Sequence, residues 1–244
     1  MAKAAENRPE PVADTSALEI FQNQWDVYRK FLQHDYLSNA AACSVLHRFL
    51  NEDLARPFRI LDLACGDSSG IVTALEATPI ESYRGVDLSA PALALAARNL
   101  AVLTCPVELD EADFTGALLD RGGAEDIVWI SLSLHHLATA DKLSFMRDVR
   151  ASLAADAAFL IYEPTCRDGE DRAQYLERFE EIGRRDWTRL TDGEFAEAMK
   201  HVRTCDLPET VSDWHSLGRE AGFAASTCLY TSPTDLFRLF LYTP

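Results

Sequence analysis

Apolar residues change their period along this chain, and the changes mark out its elements. Phe21, Trp25, Tyr28 and Leu32 recur at helical spacing. Val45, Leu46, Phe49 and Leu50 mark a second helix over 39–51, which Pro57 closes. From Phe58 onward, short apolar runs alternate with amphipathic stretches. The runs predict strands at 58–63, 83–86, 107–109, 126–131 and 158–162. Between them lie helical patterns: Ile71, Val72 and Leu75 behind Ser69; a stretch opened by Ser89 as N-cap with Pro91 in its first turn; and Leu143, Met146, Val149 and Leu153. The run Ile127, Val128, Trp129, Ile130 has no polar face, as expected of a strand covered on both sides. Strand alternating with helix predicts an α/β protein with a mostly parallel sheet.

Residues 165–210 interrupt that rhythm. They are strongly charged, with Tyr175, Phe179, Ile182 and Trp187 spaced for one helix and Phe195, Met199 and Val202 for the next, which predicts an inserted helical cap. A last helix over 211–221 stops at Gly222, and two strands follow at 223–231 and 236–242. The expected organisation is a disordered lead-in over 1–15, a helical arm or lid over 16–57, and one α/β domain over 58–244 that carries the cap.

Composition narrows the partners. The chain has 244 residues, 48% hydrophobic, enough for one sizeable core. Its formal charge of -16 repels phosphate backbones and anionic lipid, so neither nucleic acid nor a membrane surface is expected as a partner. The six cysteines form no C-x-x-C pair and suggest neither zinc nor a disulfide framework. With no signal-like N-terminus, a reducing cytoplasmic setting is expected. Oligomeric state is open between a monomer and a homodimer, the latter through the arm.

The chemistry concentrates in Arg59-Ile-Leu-Asp-Leu-Ala-Cys-Gly-Asp-Ser-Ser-Gly70, which reads as strand, tight turn, helix. At the carboxyl edge of an open parallel sheet, such a turn lets backbone approach a nucleotide-like ligand. A pyrophosphate would need the G-x-G-x-x-G spacing, which is absent, and Asp67 would set an anion against it. A nicotinamide cofactor is therefore disfavoured.

The stretch Asp62-Leu-Ala64-Cys-Gly66-Asp-Ser68, followed by Asp87 after the second strand, Asp113-Phe114 after the third and Ser131-Leu132 after the fourth, resembles class I S-adenosylmethionine (SAM) dependent methyltransferases. The resemblance runs from about Arg59 to Pro164 and includes the C-terminal strand pair. It implies a Rossmann-like, seven-stranded, mostly parallel sheet with the last strand antiparallel. It also implies SAM as methyl donor, S-adenosylhomocysteine as product and no metal. In that reading Ala64, Cys65, Gly66 and Ser68 lie under the methionine portion, and Asp62 accepts from the SAM ammonium. Asp87 binds the ribose hydroxyls, because an ionised carboxylate offers two acceptors to vicinal O–H donors. Leu88 and Phe114 flank the adenine and Asp113 accepts from its amino group, while Ser131 and Leu132 touch the cofactor from the other side. Trp25 and Tyr28 close over the sulfonium, for which aromatic faces are suited.

Ser131-Leu-Ser-Leu-His135-His136-Leu137 is the second notable stretch and resembles a His-His-Leu subgroup that acts on small molecules. If the acceptor is a hydroxyl or an ammonium, a base must take its proton, and His135, His136, Tyr28 and Glu163 are the candidates. Two adjacent histidines also invite a metal, but no third ligand follows at useful spacing. Within the cap, Arg178, Arg184, Arg185, Trp187 and His201, with Trp214 beyond it, are candidates to read the acceptor, hinting at a carboxylate-bearing or aromatic molecule. The expected activity is methyl transfer to oxygen or nitrogen of a small molecule. The alternatives are an enzyme that modifies SAM itself and a SAM-binding protein without turnover.

Overall fold

Asp62, near the end of one strand, and Glu163, three residues before the end of another, lie on opposite faces of one sheet, and the fold explains why. The computed structural model describes residues 25–117 and 125–244. The lead-in 1–15 lies outside the described residues, as do the side chains of Trp25 and Tyr28. Helices α1 (Trp25–Gln33) and α2 (Asn39–Arg48) form the arm, and α2 runs into a wider π-type turn over Phe49–Leu54. Strand β1 (Phe58–Leu63), α3 (Ser69–Leu75), β2 (Ile80–Asp87), α4 (Ala90–Asn99) and β3 (Val107–Glu111) make the first half of the sheet. Then come β4 (Ile127–Ser131), α5 (Thr139–Ser152) and β5 (Ala158–Cys166). The cap is α6 (Arg172–Asp186) and α7 (Asp192–Cys205). The short β6 (Glu209–Thr210), α8 (Val211–Ala221), β7 (Ala225–Thr231) and β8 (Phe237–Thr243) complete the chain.

The sheet order is β3-β2-β1-β4-β5-β8-β7, with β6 added beside the end of β5. All pairings are parallel except those of β8, which runs antiparallel to both β5 and β7. The fold is thus the Rossmann-like α/β architecture expected from the sequence. Two strands are longer than their apolar runs suggest. Strand β2 starts at Ile80, and β5 continues to Cys166 because every one of its side chains is buried, Glu163 and Thr165 included.

Strand parity divides the core. Phe58, Ile60, Trp129, Leu160 and Tyr162 pack on the face covered by the arm and cap. Leu61, Leu63, Val128, Ile130, Phe159 and Ile161 pack on the face covered by α5 and α8. Asp62 shares the first face with Ile60; Glu163 shares the second with Ile161. Local signals fix the helix starts. Ser89 caps α4, and Asp171, Thr191 and Thr210 each form a capping box with the residue three positions on. Gly222, at φ 97°, ends α8 in the left-handed region.

The arm and cap meet over the first face. Phe31 packs edge-on against Trp187 with ring centroids 4.7 Å apart, and Tyr36 stacks on the same ring at 6.0 Å. Lys30 Nζ donates to Glu194 at 2.6 Å. No helix among the described residues is long and apolar enough to cross a membrane.

Candidate functional site

Beneath the arm and cap lies a cavity of about 610 Å³ along the carboxyl edge of the sheet. Asp62, Ala64, Cys65, Gly66, Ser68, Asp87, Leu88, Asp113, Phe114, Ser131, Leu132, His135 and His136 all line it. The structure therefore gathers into one space every proposed cofactor-contacting residue whose side chain is described.

At one end the turn after β1 is unusual. Ala64, Gly66 and Ser68 all hold left-handed backbone, at φ 54°, 55° and 55°. Alternate left-handed residues are what a glycine-rich turn supplies without steric cost; here two of the three carry a Cβ. Ser68 offsets its strain through a side-chain chain of hydrogen bonds: Ser68 Oγ lies 3.0 Å from Tyr83 Oη, which donates to Asp62 Oδ2 at 2.5 Å. Tyr83 can lie there because Gly85, opposite Asp62 in β2, has no side chain; a Cβ would meet Cys65 Sγ at 2.9 Å and the Tyr83 ring at 3.0 Å. Burial pushes Asp62 up to about 8, against the lowering by the Tyr83 hydrogen bond, with the Asp87 charge adding to the rise. Such a carboxyl is poised to ionise when a cation arrives beside it.

Asp87 ends β2 and ties the turn together. Its Oδ2 accepts from Gly66 N–H and its Oδ1 from Ser89 N–H, both at 2.8 Å. Burial raises its pKa, and these two bonds oppose the rise. Leu88 beside it is 37% exposed, an apolar side chain presented to the cavity mouth. Asp113 Oδ1 accepts from the backbone and hydroxyl of Thr115, which fixes the loop after β3. Phe114 stands edge-on to Phe145 with centroids 5.4 Å apart. Across the cavity, Leu132 at φ 53° closes the end of β4 and donates its N–H to Tyr162 O.

The other end is built around histidines. The short turn Leu134–His136 follows β4, and its backbone N–H groups point at Glu163. Glu163 Oε1 accepts from Ser133 and Leu134 N–H at 3.2 and 3.0 Å, and Oε2 from His135 N–H at 3.3 Å and His135 Nδ1–H at 2.6 Å. The expectation that Glu163 faces the cleft is corrected here. Strand parity turns it to the other face, it is fully buried, and Tyr162 and Pro164 line the cavity in its place. Its four donors make it the anchor of the histidine turn.

His135 Nε2 lies 3.5 Å from Asp206 Oδ1, His136 Nδ1 3.8 Å and His201 Nε2 3.9 Å from the same oxygen. Burial lowers the His135 pKa, but the Asp206 and Glu163 carboxylates outweigh it and raise it to about 9. Burial and the neighbouring His135 charge hold His136 at about 3. Asp206 sits below the usual carboxylate range, burial being outweighed by the three histidines.

Asp206 and His201 come from the end of the cap. Of the cap residues expected to read the acceptor, His201 lines the cavity. Arg178 pairs with Glu170, Arg184 with Glu180 and Arg185 with Asp186, while Trp187 packs in the arm–cap core. Trp214 is buried on the opposite face of the sheet. Asp206 was not singled out in the sequence, although it carried a signal. It is the C-cap of α7, where the helix dipole disfavours a negative charge, so it calls for cations nearby.

Comparison with known proteins bears on this arrangement. Residues 60–156 match the model of a family described as a methyltransferase domain. No curated protein matches the sequence. The 1,6-didemethyltoxoflavin-N1-methyltransferase of Burkholderia thailandensis was solved with 1,6-didemethyltoxoflavin and S-adenosylhomocysteine. It is 18% identical over 99% of this chain and 92% of its own, with a TM-score of 0.62. A SAM-dependent methyltransferase of Leishmania major is 16% identical over 92% of this chain and 82% of its own, with a TM-score of 0.61. A Nostoc punctiforme protein named as a candidate O-methyltransferase is 17% identical over 88% of this chain, with a TM-score of 0.61, and the chain spans 59% of its length. Residues 60–156 thus resemble a methyltransferase domain, and the chain has the fold of the class I SAM-dependent methyltransferases.

Proposed function

We propose that this protein transfers a methyl group from SAM to an oxygen or nitrogen of a small molecule. The observation that carries the reading is the one cavity that joins the turn after β1 to the histidine cluster beneath the arm and cap. One end suits the donor. Asp87 and Asp113 offer carboxylates to ribose and adenine, Leu88 and Phe114 offer apolar flanks, and the buried Asp62 suits the ammonium. The fit rests on chemistry visible in the fold: a nine-tenths-buried carboxyl with a raised pKa needs a cation to become an ionised partner, and SAM has one.

SAM supplies an electrophilic methyl on a sulfonium, so the chain itself supplies alignment and exclusion of water. Val27, Phe31 and Leu32 of the arm and Phe179, Ala198 and Val202 of the cap supply that exclusion. His136 and His201 stand at the far end, where they hydrogen-bond an acceptor. Neither His136 nor His135 is tuned as a strong base: His136 is held near 3, and His135 already carries its proton at neutral pH. The acceptor we favour is a small molecule, because the space is a partly covered cavity of about 610 Å³ and the chain is strongly acidic. Trp25 and Tyr28 are proposed to complete the lid.

The test is incubation with SAM and a panel of small hydroxyl- and amine-bearing acceptors, read by mass spectrometry. A methylated acceptor with stoichiometric S-adenosylhomocysteine supports the reading. A modified SAM moves the protein to the first alternative, and tight SAM binding with no product to the second.

A further inference from the structure

The histidine end of the cavity has the composition of a metal centre. One ring nitrogen each from His135 and His136 and one carboxylate oxygen of Asp206 lie within 4.8 Å of one another, the one such group among the described residues. We propose that His135, His136 and Asp206 bind a divalent transition-metal ion, zinc by the character of the donors, with its open position facing the cavity.

Three observations support the site independently of sequence spacing. The first is Asp206 itself. It is 5% exposed, and its Oδ1 has no hydrogen-bond partner among the described residues. Its nearest charge is the His135 imidazolium, whose Nε2 lies 3.5 Å away, too long for a good hydrogen bond, and a metal ion there would replace the Nε2 proton. Asp206 Oδ1 is aimed at the three histidine rings at 3.5, 3.8 and 3.9 Å. A tetrahedral ion with ligands about 2.0–2.1 Å away holds them roughly 3.4 Å apart. The His135–Asp206 separation already fits; His136 Nδ1, at 3.8 Å, also donates to Cys205 O at 3.3 Å, so ligation by His136 requires that bond to be released or the ring to turn.

The second observation is the shell behind the ligands. His135 Nδ1 donates to Glu163 at 2.6 Å, which leaves Nε2 as the atom turned toward Asp206. A histidine that binds metal through one nitrogen characteristically donates the other N–H to a carboxylate. The third is rigidity. Leu207 N–H donates to His135 O at 2.9 Å, and the fully buried Lys142 bonds both Leu207 O and Glu209. The segment carrying Asp206 is thereby pinned to the turn carrying the histidines, although about seventy residues separate them in sequence.

Two imidazoles and one carboxylate make a borderline donor set that suits zinc or another late first-row ion, with a position left for an incoming ligand. His201 lies beside that position, on the cavity side. The role of the ion rests on the methyl-transfer reading above; its binding does not. In that role it acts as a Lewis acid toward the acceptor heteroatom. The acceptor O–H or N–H gives its proton to solvent and its lone pair forms the bond to the methyl carbon. The C–S bonding pair passes to sulfur, leaving neutral S-adenosylhomocysteine.

The test uses the full chain, freed of metal by a chelator and titrated with Zn²⁺ by calorimetry and with Co²⁺ by visible absorption. One equivalent of each, with the intense absorption of tetrahedral Co²⁺, is expected. Glu163→Gln should weaken Zn²⁺ binding by about 10–100-fold, Asp206→Asn and His136→Ala by more, while His34→Ala, on the exposed arm, leaves it unchanged. Circular dichroism checks that each variant is folded, and the Co²⁺ spectrum of the unmutated chain needs no variant. No stoichiometric binding, a purely octahedral Co²⁺ spectrum, or equal affinity in folded Asp206→Asn would overturn the site. Titration of the same samples with S-adenosylhomocysteine separates the two readings. Product binding without metal binding removes the ion and keeps methyl transfer, and the converse removes methyl transfer and keeps the ion.

Discussion

At the proposed donor end of the cavity, the candidate groups sit at the ends of β1 and β2 and in the loops directly after β1, β2 and β3. At the histidine end they converge from the turn after β4, from β5 on the far face of the sheet, and from the C-terminus of a cap helix. Local backbone holds the donor end: Asp87 bridges Gly66 and Ser89, and Asp113 closes its own turn. Long-range pairing between buried charges holds the other. The difference teaches where each end is vulnerable. A local turn loses its ligand when one residue changes, whereas a converging cluster loses its shape.

Glu163→Ala is the most severe test of that contrast. It strands three backbone N–H groups and the His135 imidazolium in the interior. Removing one partner of a buried ion pair costs about 3–5 kcal/mol. Urea unfolding should show a loss of that size, and a loss under 1 kcal/mol would mean that the turn does not depend on its anchor. Asp87→Ala probes the donor end and should act on the ligand instead. Two charge-assisted hydrogen bonds at about 1.5–3 kcal/mol each predict at least a 100-fold loss of S-adenosylhomocysteine affinity by calorimetry. Unchanged affinity would show that the donor lies elsewhere.

Asp62 offers a gentler probe through pH. Its pKa is raised from 3.8 to about 8 in the fold. The stability it contributes is therefore fully present below about 4 and is lost as pH rises through 8. A ligand ammonium beside it favours the ionised form, so binding at pH 7 should release close to one proton. Calorimetry in buffers of different ionisation enthalpy measures that release, which should vanish in Asp62→Asn. Equal proton release in the variant would assign it to another group.

The same contrast explains what could be read from the sequence. That the residues of the proposed donor end line one cavity was legible because strand, small-residue turn, helix and a following acid are all local features. Asp62, Asp87 and Asp113 fall where that order places them. The histidine turn was legible as a motif, but its partners were not. Asp206 lies about seventy residues downstream, and only the packing of α7 onto the turn brings it near. Glu163, a candidate base from its place after the run 158–162, falls on the face away from the cavity. The strand continues to Cys166, and parity then fixes which residues meet the cavity. The tie between Lys30 and Glu194 likewise depends on two helices 164 positions apart.

The smallest expected effect concerns backbone strain at the donor end. Ala64 and Ser68 both occupy left-handed backbone, but only Ser68 gains from its side chain, which is buried against Tyr83. A Cβ in that region costs about 1–2 kcal/mol, and glycine returns about 0.4–1 kcal/mol through the greater freedom of its unfolded chain. Ala64→Gly should therefore stabilise the protein by about 0.5–1 kcal/mol, a rise in Tm of roughly 1–4 °C for a chain of this size. Ser68→Gly relieves the same strain but removes the Ser68–Tyr83 hydrogen bond, worth about 0.5–1.5 kcal/mol, so its Tm should stay level or fall. Differential scanning calorimetry of the pair decides the matter. If Ala64→Gly lowers Tm while Ser68→Gly raises it, the turn is held by its side chains at Ala64 rather than strained there, and the contrast between a locally built donor end and a convergent histidine end loses its structural basis.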